Sequence, residues 1–260
     1  MRRLALAILL LSSTMNALAA GVAASACPAA WGYGSHEGPA FWGQMDAAWV
    51  RCDTGRAQSP IAITDAVRDQ TLPALAVNYD AATRYPVVVQ NNGHEIRVTP
   101  LFDASLEIDG VGTATLLQFH FHMPPEHQRP GVDAKGEVHF VHRGPDGKLI
   151  VIGALITAGA ANPALEQLLQ LLPGKCQSKK TTPDTQVAIR ALLSKRLDDY
   201  YAYAGSLTTP PCDEGVSWIV LHDGITASAA QLERLRVAGV PNARPLQPRL
   251  GRKVSQRGSD

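Results

Sequence analysis

Gln118-Phe119-His120-Phe121-His122, answered by Glu137-Val138-His139, is the stretch from which the fold and chemistry of this chain are read. Residues two apart on a strand share a face. His120 and His122 can therefore reach one metal ion while Phe119 and Phe121 pack on the opposite face. His139 completes a three-nitrogen site if its strand pairs alongside. Three neutral ligands leave Zn2+ its full charge and one open position, an arrangement suited to catalysis rather than to a structural role. A single His-x-His is weak evidence in a chain with eight histidines. The context strengthens it: Gln118 and Glu137 each precede a ligand candidate by two, on the same face. Each can accept a hydrogen bond from the ring nitrogen that is not on the metal, fixing the tautomer.

Outward from this stretch, strand character dominates. Pro86 to Gln90, His94 to Thr99, Ser105 to Ile108, Thr115 to His122, Gly136 to His142, Leu149 to Thr157 and Val216 to Leu221 all read as strands. Asn91-Asn92-Gly93, Asp109-Gly110 and Pro145-Asp146-Gly147 separate them, the last as a hairpin turn. Asn162-Pro163, then Leu165, Leu168, Leu169 and Leu172 before Pro173-Gly174, predicts one capped amphipathic helix. Ser228 with Gln231 predicts a capping box for a second. Thr185 to Arg196 fits helix and irregular structure equally. The fold class expected is β-rich (α+β), a single domain with short peripheral helices.

Met1-Arg2-Arg3 followed by an apolar run from Leu4 to Leu11 reads as a signal peptide over residues 1–19, with an alternative cleavage after residue 26. The chain is accordingly expected to be exported, with the periplasm as first destination and secretion as the alternative. No later apolar run is long enough for a membrane span. The formal charge of +1 falls to about −1 without Arg2 and Arg3, and nothing suggests a nucleic-acid partner. Cys27, Cys52, Cys176 and Cys212 form an even set, which favours disulfides in an oxidising compartment and leaves three connectivities open. Residues 251–260 are read as a flexible tail.

Gln118 to His122, Glu126-His127 and Glu137 to His142 together resemble the α-class carbonic anhydrases, in their bacterial exported form. The resemblance extends through Trp31-Gly32-Tyr33, Gln58-Ser59-Pro60-Ile61 and Asn91-Asn92-Gly93-His94. It continues through Gly205-Ser206-Leu207-Thr208-Thr209-Pro210-Pro211 and Trp218-Ile219-Val220 to Asn242-Ala243-Arg244-Pro245-Leu246-Gln247-Pro248. It implies a catalytic domain over residues 27–250, built on a large twisted, mainly antiparallel sheet. It also implies zinc-dependent, reversible hydration of carbon dioxide to bicarbonate and a proton, by attack of zinc-bound hydroxide, in a monomer or a homodimer.

Position by position, the resemblance makes His120, His122 and His139 the zinc ligands. Thr208 would donate its proton to Glu126 and so accept one from the nucleophile. Val141, Val151, Leu207 and Trp218, with Thr209, would line the pocket for a small apolar substrate. His94 would shuttle protons through water ordered by Tyr33, Asn92 and Thr209. Arg97 stands where several members have asparagine, and a cation there is expected to disturb the water chain or lower the shuttle pKa. His127 and His142 match buried structural positions. Cys52 and Cys212 match the bacterial disulfide, and Ser59-Pro60 and Pro210-Pro211 match cis-proline positions. Cys27 and Cys176 remain unassigned.

Overall fold

The computed structural model describes residues 30–79, 83–239 and 241–258. The expected signal segment and Cys27 lie outside the described residues. Among the described residues, thirteen strands join in one mixed sheet. In chain order they are β1 (Val67–Arg68), β2 (Leu75–Val77), β3 (Val87–Asn91), β4 (Ile96–Pro100), β5 (Ser105–Ile108), β6 (Gly112–His122) and β7 (Ala134–Arg143). They continue with β8 (Leu149–Ala158), β9 (Gln177–Lys180), β10 (Tyr200–Ser206), β11 (Glu214–Leu221), β12 (Ile225–Ala227) and β13 (Ser255–Arg257). Across the sheet the order is β1-β13-β10-β11-β8-β7-β6-β4-β3-β9, with β5 on β6, β2 on β5 and β12 on β8. Pairing is antiparallel except where β1 meets β13 and where β11 and β12 meet β8.

The sheet separates two apolar clusters, and β6 shows how one sequence serves both. Ala114 and Leu116 face the larger cluster, and so do Phe119 and Phe121. Strict alternation would put these two pairs on opposite faces. A register shift between Leu116 and Gln118 switches the parity. Leu117 packs against the smaller cluster of Val141, Val151, Tyr203, Val216, Trp218 and Val220. Beyond the bulge, Gln118, His120 and His122 come out together on the face opposite the phenylalanines.

Helices are short and peripheral: α1 (Trp42–Met45), α2 (Arg51–Thr54), α3 (Pro163–Leu171) and α4 (Ala229–Ala238). The two helices with sequence signals form as expected. Asn162 Oδ1 accepts from the N–H groups of Ala164 and Leu165 at 2.9 and 3.1 Å, and Ser228 forms its capping box with Gln231. Gln231 also bonds both backbone groups of Asn162 at 2.9 Å, which ties the two helix starts together. The segment that fits helix and irregular structure equally resolves into 3-10 turns at Pro183–Thr185 and Ile189–Leu192. Cys52 and Cys212 are joined across 160 residues of chain. Cys176 is also disulfide-bonded. Both expected cis prolines are present, with a third at Met123-Pro124.

The reading of residues 251–260 as a flexible tail is corrected through residue 258. Val254 is completely buried in the smaller cluster, and β13 lies between β1 and β10. Arg252 donates to the carbonyls of Ala204 and Gln58 at 3.0 and 2.8 Å. Basic composition suggests a solvated end, whereas these guanidinium groups serve backbone carbonyls. Val254→Asp, which puts a charge into the smaller cluster, is expected to cost about 3 kcal/mol or more, read from the urea midpoint. An unchanged midpoint would restore the frayed-tail reading.

Candidate metal centre and active site

The strand register builds the site row by row. Arg97 on β4, His120 on β6, His139 on β7 and Gly153 on β8 stand opposite one another in sequence across the sheet. Two residues along the strands, the matching row runs Gln118, Val141, Val151, Trp218 and Tyr203. An imidazole row thus lies beside an apolar row on one face. Gly153 makes room between them, since a Cβ there would come within 2.8 Å of Glu137 Oε1.

His120, His122 and His139 bring one ligand atom each within 4.8 Å of the others, all buried. Their remaining nitrogens are held from behind. His120 Nδ1 is 2.9 Å from Gln118 Oε1, as expected. His122 Nδ1 is 2.7 Å from the carbonyl oxygen of Asn242, a partner that sequence reasoning misses. His139 Nε2 lies 2.9 Å from Glu137 Oε1. These contacts turn His120 Nε2, His122 Nε2 and His139 Nδ1 toward a common space. Burial pushes all three imidazoles below their ordinary pKa, His120 to about 3, which keeps them neutral as metal ligation requires. His122 Nε2 and Glu126 Oε2 are buried without a hydrogen-bond partner. Three converging neutral nitrogens, His122 Nε2 among them buried without a partner, fit a borderline metal ion. A second grouping, His127 with Glu137 and His139, is occupied by its own contacts.

Glu137 organises more than the one histidine expected of it. Its Oε2 accepts from the N–H groups of Glu126 and His127 at 3.0 and 2.8 Å, and its Oε1 lies 2.7 Å from His127 Nδ1. Burial pushes this carboxyl up, but the facing His127 and His139 and their hydrogen bonds outweigh it and hold it well below the usual range. His127 Nε2 continues to Tyr203 Oη at 2.7 Å, which reaches Ser59 Oγ at 2.9 Å.

Glu126 and Thr208 are brought together. The Thr208 hydroxyl hydrogen-bonds the Glu126 carboxyl, whose Oε1 also accepts from Arg244 N at 2.8 Å. Glu126 Oε2 lies 3.5 Å from His122 Nε2 and 3.8 Å from His139 Nδ1. Burial raises the Glu126 pKa to about 7, against the opposing effects of His139 and these hydrogen bonds. Arg244, also buried, spans to Gln58 Oε1, Ser59 O and Cys52 O at 2.8, 2.9 and 3.0 Å. The segment from Asn242 to Arg244 therefore clamps both a ligand candidate and Glu126. Its signal in the sequence is the terminal Asn-x-Arg-Pro run, which the resemblance covers without assigning it a role.

Val141, Val151 and Trp218 are buried in the smaller cluster with Leu207 packed against it, and the Trp218 ring is 4.8 Å from that of His139. Thr209 is half-buried, and its carbonyl accepts from Cys212 N at 2.9 Å. His94 stacks on Trp31 with ring centroids 3.9 Å apart, and both line a 530 Å³ cavity with Tyr33 and Lys175. Burial lowers the His94 pKa, Glu95 opposes the shift, and Lys175 and Arg97 add to it. Asn92 is committed to the turn: its Oδ1 accepts from the N–H groups of His94 and Glu95, each at 2.9 Å. That turn explains why β4 starts at Ile96 and not at His94. The lowering of the His94 pKa by Arg97 agrees with the expectation for a cation at this position, and the Arg97 Nε and Nη2 both reach Glu95 Oε1, at 2.7 and 2.6 Å.

The family described as eukaryotic-type carbonic anhydrase matches residues 37–258. The carbonic anhydrase of Pectobacterium carotovorum is 41% identical over 225 residues, covering 86% of this chain and 89% of the relative. That of Neisseria gonorrhoeae is 41% identical over 226 residues, covering 86% of each chain. Among solved structures, the α-carbonic anhydrase of Thermovibrio ammonificans in complex with sulfanilamide superposes with a TM-score of 0.78 at 38% identity, covering 86% of this chain and 98% of that one.

His122→Ala is expected to abolish stoichiometric metal binding, and Gln118→Ala to weaken it by roughly tenfold. Metal content and chelator competition on the purified proteins check both. Wild-type affinity in His122→Ala would remove this residue from the ligand set.

Proposed function

Because the chain belongs to the eukaryotic-type (α) carbonic anhydrases, we propose that it hydrates carbon dioxide reversibly with a zinc ion held by His120, His122 and His139. The observation that carries this reading is the convergence of three neutral imidazoles beside the Thr208–Glu126 hydrogen bond. Zn2+ bound there would supply, as it does in carbonic anhydrases generally, a Lewis acid that makes water nucleophilic near neutral pH, and its charge would favour the ionised form of Glu126.

The residues of the chain do the rest. Thr208 has one proton, and giving it to ionised Glu126 leaves the lone pairs of Oγ1 as acceptors. Oγ1 then retains a group that brings a proton of its own and rejects one that does not. Arg244 N fixes the carboxylate, so this preference is built in rather than acquired on binding. Val141, Val151, Leu207 and Trp218 offer carbon dioxide an apolar surface beside His139. Bicarbonate, being charged, is held poorly by that surface. His94 carries the released proton outward, picking it up at one ring nitrogen and releasing it to buffer. Its stacking on Trp31 places the ring against the segment that also carries Tyr33. The Cys52–Cys212 disulfide supports an exported, periplasmic location.

Stopped-flow measurement on the zinc-loaded protein is expected to show carbon dioxide hydration, reduced about 100-fold in kcat/KM by Thr208→Ala. His94→Ala is expected to slow turnover in dilute buffer and to recover with added imidazole. Stoichiometric zinc without hydration would sink the reading. Unchanged turnover of His94→Ala in dilute buffer would assign the proton transfer elsewhere.

A further inference from the structure

Glu95 takes no part in the reading above, yet it is a buried carboxylate directed at the metal centre. Its side chain is 7% exposed. The Asn92 turn fixes its backbone through a 2.9 Å hydrogen bond to its N–H. Oε1 accepts from Arg97 Nε at 2.7 Å and from Asn92 Nδ2 at 3.4 Å, and Arg97 Nη2 lies 2.6 Å away. Oε2 has none of these contacts and lies 3.7 Å from His120 Nε2. That nitrogen is the one turned away from Gln118 and toward the common space of the triad. Arg97 itself stands opposite His120 in the register and is 42% exposed. The pair is therefore oriented: its cation is wetted and screened, and its anion is dry and points inward.

We propose that Glu95 is a specificity-determining residue of the metal centre, whose fixed carboxylate strengthens retention of a dication and disfavours anions competing for the open position. Arg97 is its positioning residue. The proposal rests on the zinc reading above. Glu95 acts by its field and not as a ligand, since the converging group among the described residues consists of the three histidines alone. The two contacts of Oε1 with the Arg97 guanidinium favour the charged form of the carboxylate. A unit charge a few ångströms from a dication, discounted for its countercharge and the surrounding solvent, alters affinity by roughly tenfold or more. The same field acts on an anion with the opposite sign.

Two constants test this: Kd for Zn2+ by chelator competition, and Kd for thiocyanate from the visible spectrum of the Co2+-substituted protein. Glu95→Gln is expected to weaken zinc about tenfold and to tighten thiocyanate about tenfold. That variant also frees Arg97, so the double variant Glu95→Gln with Arg97→Gln is the control, expected to keep both shifts. Wild-type constants in the double variant, or in Glu95→Gln itself, would overturn the proposal. Should Glu95→Gln fail to fold by circular dichroism, Glu95→Asp withdraws the charge by one methylene and is expected to show part of both shifts. Wild-type constants in Glu95→Asp would then overturn it. A wild-type protein that fails to bind zinc through the triad overturns the zinc reading instead, so the two failures are distinguishable.

Discussion

In a sheet, a slip of one residue moves every side chain to the other face, so the register of β6 on β7 is the constraint on which the remaining geometry depends. It sets His120 opposite His139 and His122 opposite Glu137. The bulge at Leu117 makes this register compatible with a filled core. Ahead of it, Ala114 and Leu116 anchor β6 to the larger cluster, and behind it Phe119 and Phe121 do the same. Without the switch, burying the first pair would turn the phenylalanines toward the metal position and the imidazoles into the core. Phe119 stacked on Phe140 at 4.9 Å reinforces the alignment from below.

The register brings titratable groups into a dry interior, and the buried network shows how their desolvation is offset. Glu137 gathers two backbone N–H groups and two imidazoles, and Glu126 gathers a backbone N–H group and a hydroxyl. A buried charge is tolerated when its lone pairs are used. Arg244 answers the same demand with carbonyls drawn from Cys52 and Ser59. The site is thus held by segments far apart in sequence, and the disulfide between Cys52 and Cys212 joins two of them.

What can be read from the sequence follows local rules. Strand alternation and the offset of two place Gln118, His120, His122, Glu137 and His139 on one face, and cap chemistry locates α3 and α4. Resemblance supplies Thr208, Glu126 and the apolar wall. What escapes depends on long-range partners. β10 carries three tyrosines, which favour a strand, but Ala202, Ala204 and Gly205 interrupt the pattern, and its pairing with β11 and β13 completes it. The carbonyl of Asn242 is a backbone group with no sequence signature. Glu95 escapes a reading that stops at Arg97, although the two are two residues apart, the same offset that identifies partners at the histidines. β13 escapes because basic composition says nothing about which carbonyls lie nearby.

The clamp formed by Asn242 and Arg244 carries a consequence for the order in which this protein is assembled. Asn242 is 120 residues downstream of the histidine it supports, and Arg244 is 118 downstream of Glu126. β13 follows later still and completes one side of β10. A chain emerging from the ribosome therefore carries all three imidazoles long before it carries the groups that orient His122 and Glu126. Several pairings of the sheet join strands distant in sequence, and such pairings close slowly. The geometry of the triad and of Glu126 is therefore completed late, together with the carboxy-terminal segment, and a chain that has yet to receive that segment lacks the carbonyl behind His122 and the N–H group that holds Glu126.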